Sequence, residues 1–317
     1  MSTTPHLSII IPFFNEQECL PDLKETLGRA VIGDSWEILL VDDGSTDRSV
    51  SIVERWIEED PRVRLISFSK NFGQTAAMAA GFENSRGEIL VCMDADGQND
   101  PADIPLLLEE MKKGVDVVSG WRRDRKDPFW SRRFPSHLAN ALISLVTGVS
   151  LHDYGCTLKA YRRSMVEGLR LYGDMHRFLP AWCAWQGARV SEIEVHHHPR
   201  VKGKSKYGLA RTFKVILDLL TAKFFSSYLN KPSYFFGGAG LLLLTIGTLS
   251  GLVAVLDRFV WNLWQPYRLP FLMLAVFFGI VGVQFLILGL LAEIIIRIYY
   301  ENQDKRPYRI ARILPEK

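Results

Sequence analysis

Residues 90–101, LVCMDADGQNDP, leave an apolar run and at once place two aspartates one residue apart. Leu90 to Met93 are continuously apolar, the pattern of a short buried strand. If that extended geometry persists, Asp94 and Asp96 point the same way, because strand side chains alternate with a period of two. Adjacent carboxylates repel unless a cation or a shared proton lies between them. A hard divalent cation such as Mg²⁺ or Mn²⁺ takes oxygen ligands and bridges one or two carboxylates to substrate phosphates. Asp94, Asp96 and the amide of Gln98 suit that role; a solvated acidic turn is the alternative.

The surrounding pattern favours the cation. Strand-like segments at Leu7–Phe13, Trp36–Val41, Val63–Phe68, Glu88–Met93 and Val115–Ser119 alternate with amphipathic stretches. Asn15 with Glu18, and Ser45-Thr46-Asp47, look like N-caps opening two of the helices. This alternation predicts a doubly wound α/β domain with a parallel sheet, whose ligands bind beyond the carboxyl ends of the strands. VDDGSTD, containing Asp42 and Asp43, falls at one such end and MDADGQ at another. Asp42 or Asp43 could accept hydrogen bonds from a base or a ribose; an ordinary turn would use the same residues.

The chain has 317 residues, 48 % of them apolar, and a net charge of only +3, which argues against a dedicated nucleic-acid binder. Cys19, Cys92, Cys156 and Cys183 have neither metal-ligand spacing nor a paired framework, so they are expected as reduced, buried thiols of a cytosolic domain. The N-terminus reads as a first strand and not as a signal peptide.

Beyond the first domain the pattern changes. Residues 207–231 carry an apolar stripe ringed by lysine and arginine, as an interfacial helix would. Residues 232–256 and 269–292 are then uncharged apart from Asp257, Arg258 and Arg268 in the short link 257–268. Each exceeds the roughly 20 apolar residues that cross a bilayer. Basic residues are dense before and after the pair, which places both termini in the cytosol and the link outside. The expected order is a catalytic domain at 1–206, an amphipathic helix at 207–231, spans at 232–256 and 269–292, and a basic cytosolic tail at 293–317. Gly237, Gly238 and Gly240 could pack against another helix in a homo-oligomer. His196 to His198 tempt a metal assignment, but no third ligand is evident, and a strand end near the site is expected instead.

The segments IIIPFFNEQECL, ILLVDDGSTDRS, NFGQTAAMAAGF, MDADGQNDP and GCTLKAYRRS together resemble family 2 inverting glycosyltransferases of the GT-A fold. The subgroup resembled is the dolichyl-phosphate mannose synthase-like enzymes, and within it the bacterial bactoprenol (undecaprenyl-phosphate) glucosyltransferases and aminoarabinose transferases. The resemblance covers essentially the whole chain. It implies transfer of a sugar from a UDP-linked donor to a polyprenyl phosphate at the cytosolic membrane face, with Mg²⁺ or Mn²⁺. Glucose or N-acetylglucosamine is the first expected sugar and formamido-arabinose the runner-up.

Position by position, the resemblance implies that Pro12, Asn15, Glu16, Asp42, Asp43 and Asp94 surround the nucleotide, with Arg200 and Lys206 on a basic loop near the diphosphate. Asp94, Asp96 and Gln98 would hold the metal. Arg122, Arg132, Arg133 and Lys159 would meet the acceptor phosphate, and His176 with Arg177 would line the transfer side, so that Asp94, Asp96, Arg122 and Arg177 form the catalytic set. A flippase and a second membrane glycosyltransferase would act downstream. A processive polysaccharide synthase would share the nucleotide motifs, but the Gln-x-x-Arg-Trp segment and further spans are missing. A catalytically silent membrane scaffold is the reading from a different class, and the intact Asp94, Asp96 and Gln98 argue against it.

Overall fold

Four apolar runs near the N-terminus form strands buried along their whole length: β1 (Leu7–Phe13), β2 (Trp36–Asp42), β3 (Val63–Phe68) and β4 (Ile89–Cys92). Such runs suit strands covered on both faces, because neither set of alternating side chains meets water. The computed structural model describes residues 5–30, 35–123, 140–141, 143–145, 147–169, 171, 175–199, 232–261, 265–301 and 310–314. Between the strands lie α1 (Leu20–Arg29), α2 (Ser49–Glu59), α3 (Gln74–Asn84) and α4 (Ile104–Lys112). Three further strands follow, β5 (Val117–Trp121), β6 (Lys159–Arg162) and β7 (Val190–Glu194), and β8 (Ile310–Leu314) lies close to the C-terminus.

The sheet order is β7-β5-β6-β4-β1-β2-β3-β8. Strands β1 to β4 are mutually parallel, while β6 runs antiparallel to both β4 and β5. From β1 the chain winds outward through β2 and β3, then returns to place β4 on the other side of β1. That reversal is the switch point at which a crevice opens in such sheets. The pairing makes the crevice explicit: β1 pairs with β2 as far as Phe13, but with β4 only as far as Ile10. Pro12 falls in the part of β1 that β4 no longer follows, where its missing N–H leaves no gap on the β4 side.

Leu7, Ile9, Ile11 and Phe13 pack with α1, α2 and α4 in one apolar cluster, whereas Ile10 joins α3 and the helix Leu179–Trp185 in another. Helices on both faces complete the α/β arrangement. α3 has no polar stripe; it is buried continuously from Thr75 to Phe82 and rich in alanine. At Gly81 a Cβ would lie 2.3 Å from Ile10 Cγ2, so only glycine lets α3 press this closely on β1. That contact fixes where the helix N-terminus falls, beside the crevice.

The apolar region forms two long helices, Pro232–Leu256 and Gln265–Glu301, which belong to a compact unit of their own. Both are long and apolar enough to cross a membrane, over Phe235–Phe259 and Leu269–Ala292. Gly240 and Gly282 allow backbone to meet backbone between them, since a Cβ on Gly240 would lie 2.8 Å from the Gly282 carbonyl oxygen. Gly240 is therefore used within the hairpin, while a Cβ on Gly237 or Gly238 would meet no neighbouring element within 4 Å. The segment expected as an amphipathic helix, 207–231, lies outside the described residues.

The expected tail at 293–317 is not simply a tail. Residues 293–301 continue the second long helix, and β8 returns to the unit that holds the sheet, where it pairs antiparallel with β3. Leu65 aligns with Leu314 and Ser67 with Arg312. Composition concealed this, because the five residues of β8 are broken by Arg312 and lie within a basic segment. Deleting Arg306–Lys317 should therefore destabilise the unit that holds the sheet, because β3 loses its partner strand. Thermal denaturation of the full-length and shortened proteins tests it: a drop of at least about 2–4 °C is expected, the equivalent of about 1 kcal/mol for a domain of this size.

Candidate active site

The carboxyl ends of β1, β2, β4, β5 and β7 all open on one edge of the sheet, and the start of the antiparallel β6 joins them there. The DDGSTD and DADGQ motifs both lie along this edge. After β1 the chain turns at Asn15, which adopts a left-handed φ of 55°. Asn15 Oδ1 accepts from Thr46 N at 2.8 Å, Ser45 Oγ accepts from Asn15 N at 2.9 Å and Ser49 Oγ from Glu16 N at 2.9 Å. The loops after β1 and β2 are thereby laced together. This corrects the capping expectation: α1 and α2 begin later, at Leu20 and Ser49, and neither has a side-chain cap. Asn15 and Ser45 bond across the two loops instead, whereas Asp47 accepts from Ser49 N at 2.9 Å at the start of α2 as well as from Gln17 N at 3.3 Å.

Asp42 and Asp43 serve the same edge from below. Asp42 is 1 % exposed and accepts from Ser45 N at 2.8 Å and Ser67 Oγ at 2.6 Å. With both oxygens engaged inside the protein, it fastens the turn and β3. Asp43 accepts from Phe72 N at 2.7 Å and Gly73 N at 3.0 Å, which ties β2 to the start of α3. Burial raises its pKa, partly offset by those backbone bonds. Gly44 makes the tie possible: its φ is +76°, and a Cβ there would sit 2.4 Å from the Lys70 carbonyl carbon.

Strand β4 stops at Cys92, so Asp94 and Asp96 stand on a turn and not on an extended strand. Asp96 Oδ1 accepts from Gln98 N at 3.1 Å, and Gly97 takes a φ of +73°. Asp94 Oδ1 accepts from Gln74 Nε2 at 2.7 Å. Thr157 also bonds Asp94 and accepts from Asn99 Nδ2 at 2.8 Å. Burial first, and then the neighbouring Asp96 charge, push the Asp94 carboxyl up to about 6, with Thr157, Arg122 and Lys159 opposing. Asp94 is thus held where it carries its charge reluctantly. Beside this turn opens a cavity of about 150 Å³, lined by Asp96, Asn99, Asp100 and His198 and by Cys19 and Asp22 at the start of α1.

Arg122 leaves the end of β5 and forms a two-pronged pair with Asp153, Nε to Oδ2 at 2.7 Å and Nη2 to Oδ1 at 3.0 Å. Lys159 differs from its expected place at the acceptor side. It is 3 % exposed and its ammonium donates to the carbonyls of Tyr154 and Cys156. The cause is β6, which begins at Lys159 opposite Cys92 and turns the side chain beneath the 153–157 loop. His176 is buried and its Nδ1 lies 2.7 Å from Thr75 Oγ1; half-buried Arg177 follows on the same short turn, Met175–Arg177. Arg132, Arg133, Arg200 and Lys206 lie outside the described residues.

Two of the three histidines face acids. His196 Nδ1 pairs with Asp103 at 2.7 Å and His198 Nε2 with Asp100 at 3.0 Å, while His197 bridges to Asn99. The Asp103 partner raises the His196 pKa. No cluster of three or more His, Cys, Asp or Glu side chains poised for a metal occurs among the described residues. All four cysteines are buried thiols outside any disulfide.

Sequence reasoning did not single out Gln74, Thr75 or Asp153. The available signal was a Gly-Gln-Thr helix start in a sheet of this kind, since such starts lie at the ligand edge.

A family model described as glycosyl transferase family 2 matches residues 8–170. The chain belongs to that family. This glycosyltransferase is 42 % identical to the dodecaprenyl-phosphate galacturonate synthase of Rhizobium johnstonii over 316 residues, covering 98 % of this chain and 93 % of the relative. It is 38 % identical to the undecaprenyl-phosphate 4-deoxy-4-formamido-L-arabinose transferase of Pseudomonas aeruginosa, covering 97 % and 90 %. Among solved structures, glucosyl-3-phosphoglycerate synthase from Mycobacterium tuberculosis, crystallised with Mn²⁺, UDP-glucose and phosphoglyceric acid, superposes with a TM-score of 0.55. That match covers 69 % of this chain and 80 % of the other at 17 % identity, and establishes for the transferase the GT-A fold.

The strain on Asp94 gives a pH signature. Unfolded aspartate ionises near 3.9. A carboxyl whose folded pKa is raised adds stability below that value and loses it as pH climbs through about 6. In chelator, Asp94→Asn should therefore melt higher than the natural protein at about pH 7.5, and the gap should close toward about pH 4. Each kcal/mol of relieved repulsion is worth about 2–4 °C. Equal melting temperatures at both pH values would show that Asp94 carries no such strain.

Proposed function

We propose that this glycosyltransferase moves a sugar from a UDP-linked donor to the phosphate of a polyprenyl lipid, inverting the anomeric carbon, at the cytosolic face of the inner or plasma membrane. The observation that carries this reading is a strained carboxylate pair at the switch point of a nucleotide-type sheet, in one chain with two helices long enough to cross a bilayer. The names of the two relatives support the lipid acceptor and move galacturonate and formamido-arabinose ahead of glucose as candidate sugars.

The residues fit a hard divalent cation. Asp94 and Asp96 supply carboxylate oxygens, and the side-chain amide of Gln98 has no hydrogen-bond partner among the described residues. An oxygen-only set short of a full cage suits Mg²⁺ or Mn²⁺, which complete their shells with substrate phosphates and water. When bound, the cation would act as a Lewis acid toward the departing diphosphate. Arg122, held rigid by Asp153, adds fixed positive charge near Asp94, and Arg177 would do so on the transfer side.

The acceptor needs little help. A phosphate monoester has a second pKa of about 6 and is mostly dianionic at neutral pH, so its oxygen attacks without a base. That oxygen bonds to the anomeric carbon as the bond from carbon to the donor diphosphate breaks, and the electron pair leaves with UDP. Two crossings return the chain to its starting side, which is where β8 must be to join the sheet.

The test incubates purified full-length protein with undecaprenyl phosphate, Mn²⁺ or Mg²⁺, and UDP-galacturonate, UDP-4-formamido-arabinose, UDP-glucose or UDP-N-acetylglucosamine, and follows sugar into the lipid phase. Transfer from one donor, abolished by chelator and lowered at least about 100-fold by Asp96→Asn, is expected. Undiminished transfer by Asp96→Asn would remove the metal assignment. Failure with every donor would remove the lipid-phosphate reading.

A further inference from the structure

The first turn of α3 touches three parts of the edge through three consecutive residues. Gly73 N bonds Asp43 at 3.0 Å, Gln74 Nε2 bonds Asp94 at 2.7 Å, and Thr75 Oγ1 meets His176 Nδ1 at 2.7 Å. The first of these bonds is main chain and survives any side-chain change at residue 74. The second is made by the Gln74 side chain alone, so it is lost when that side chain is cut back. The helix itself cannot drift, since Gly81 seats it against β1.

We propose that Gln74 is a positioning residue for the cation, holding Asp94, together with Thr157, in the rotamer from which it would ligate. This rests on the proposed role of Asp94 and Asp96 as metal ligands, and extends it to a residue that would not touch the metal. The chemistry is specific in sign. A neutral amide donor orients an ionised carboxylate and adds no charge, whereas a lysine there would compete with the cation and a glutamate would repel the ligand it faces. Partners of this kind around a metal ligand set affinity, and removing one costs about 10–100-fold. Thr75 leads the other way, to His176, so the two side chains can be separated experimentally.

The decisive experiment measures Mn²⁺ binding directly, by the loss of the free-ion electron paramagnetic resonance signal, on full-length protein in the presence of UDP and without acceptor. Gln74→Ala and the near-isosteric Gln74→Glu should each weaken Mn²⁺ binding by about 10-fold or more. Gln74→Ala should keep the natural melting temperature in chelator to within a few degrees, whereas Gln74→Glu, which adds like charge beside Asp94, should melt lower. Thr75→Val, which breaks only the link to His176, should leave Mn²⁺ affinity within about twofold and so separates positioning of Asp94 from general loosening of α3. Unchanged Mn²⁺ affinity in Gln74→Ala, with the natural protein binding normally, would overturn this inference alone. Equal weakening by Thr75→Val would overturn it as well, because the effect would then belong to the helix. If the natural protein with UDP binds no Mn²⁺, the metal reading falls and this inference with it.

Discussion

Keeping two like charges together at the end of β4 is the constraint around which this molecule is arranged. Asp94 is penalised by burial and by Asp96 alike, and an isolated turn would relieve both by swinging into water. Here it cannot. Gln74 reaches it from α3, Thr157 from the segment before β6, and the positive charges of Arg122 and Lys159 lie within electrostatic reach. Each support comes from a different element, and each element is fixed by packing that has nothing to do with the charge: α3 by Gly81 on β1, β6 by its pairing with β4 and β5. A low-dielectric core thus supplies the rigidity with which a polar edge is held in tension.

The same logic explains the second layer of polar contacts. Asp153 grips Arg122 with two bonds, which removes the freedom of a long side chain and leaves its charge in place. His196 and His198 pair with Asp103 and Asp100, so the strand end after β7 is fastened to the segment that immediately follows the DADGQ turn. The histidines that looked like a metal motif are structural partners of acids, and their spacing of two reflects one face of an extended chain meeting two carboxylates on a single turn.

Much of this was legible in the sequence, and the parts that were not share a cause. Continuous apolar runs located β1 to β4 closely, because strands buried on both faces leave that pattern and few others do. Asp94 and Asp96 were legible because a charged pair straight after a buried run has no apolar explanation. The caps at Asn15 and Ser45 were misplaced because a polar residue after a strand carries the same local signature whether it bonds its own helix or a neighbouring loop. Lys159 was misplaced because nothing local distinguishes a lysine bound to buried carbonyls from one in water. Gln74 and Asp153 went unnoticed for the same reason: their partners lie far along the chain, and only the fold brings them together. β8 adds a further case, since its partner strand is nearly the whole chain away.

That last pairing carries a consequence for biosynthesis. A ribosome delivers β1 to β7 well before β8, so during translation β3 is an edge strand with a free row of backbone donors and acceptors. Exposed edges of this kind invite pairing with other chains. The edge is closed only after both long helices have been made, so the last element of the catalytic sheet arrives after the membrane segment. An abandoned or prematurely terminated chain would be left with its adhesive edge uncovered, whereas a finished one hides it. Because these five residues follow both long helices, completion of the sheet reports that the hairpin has been synthesised.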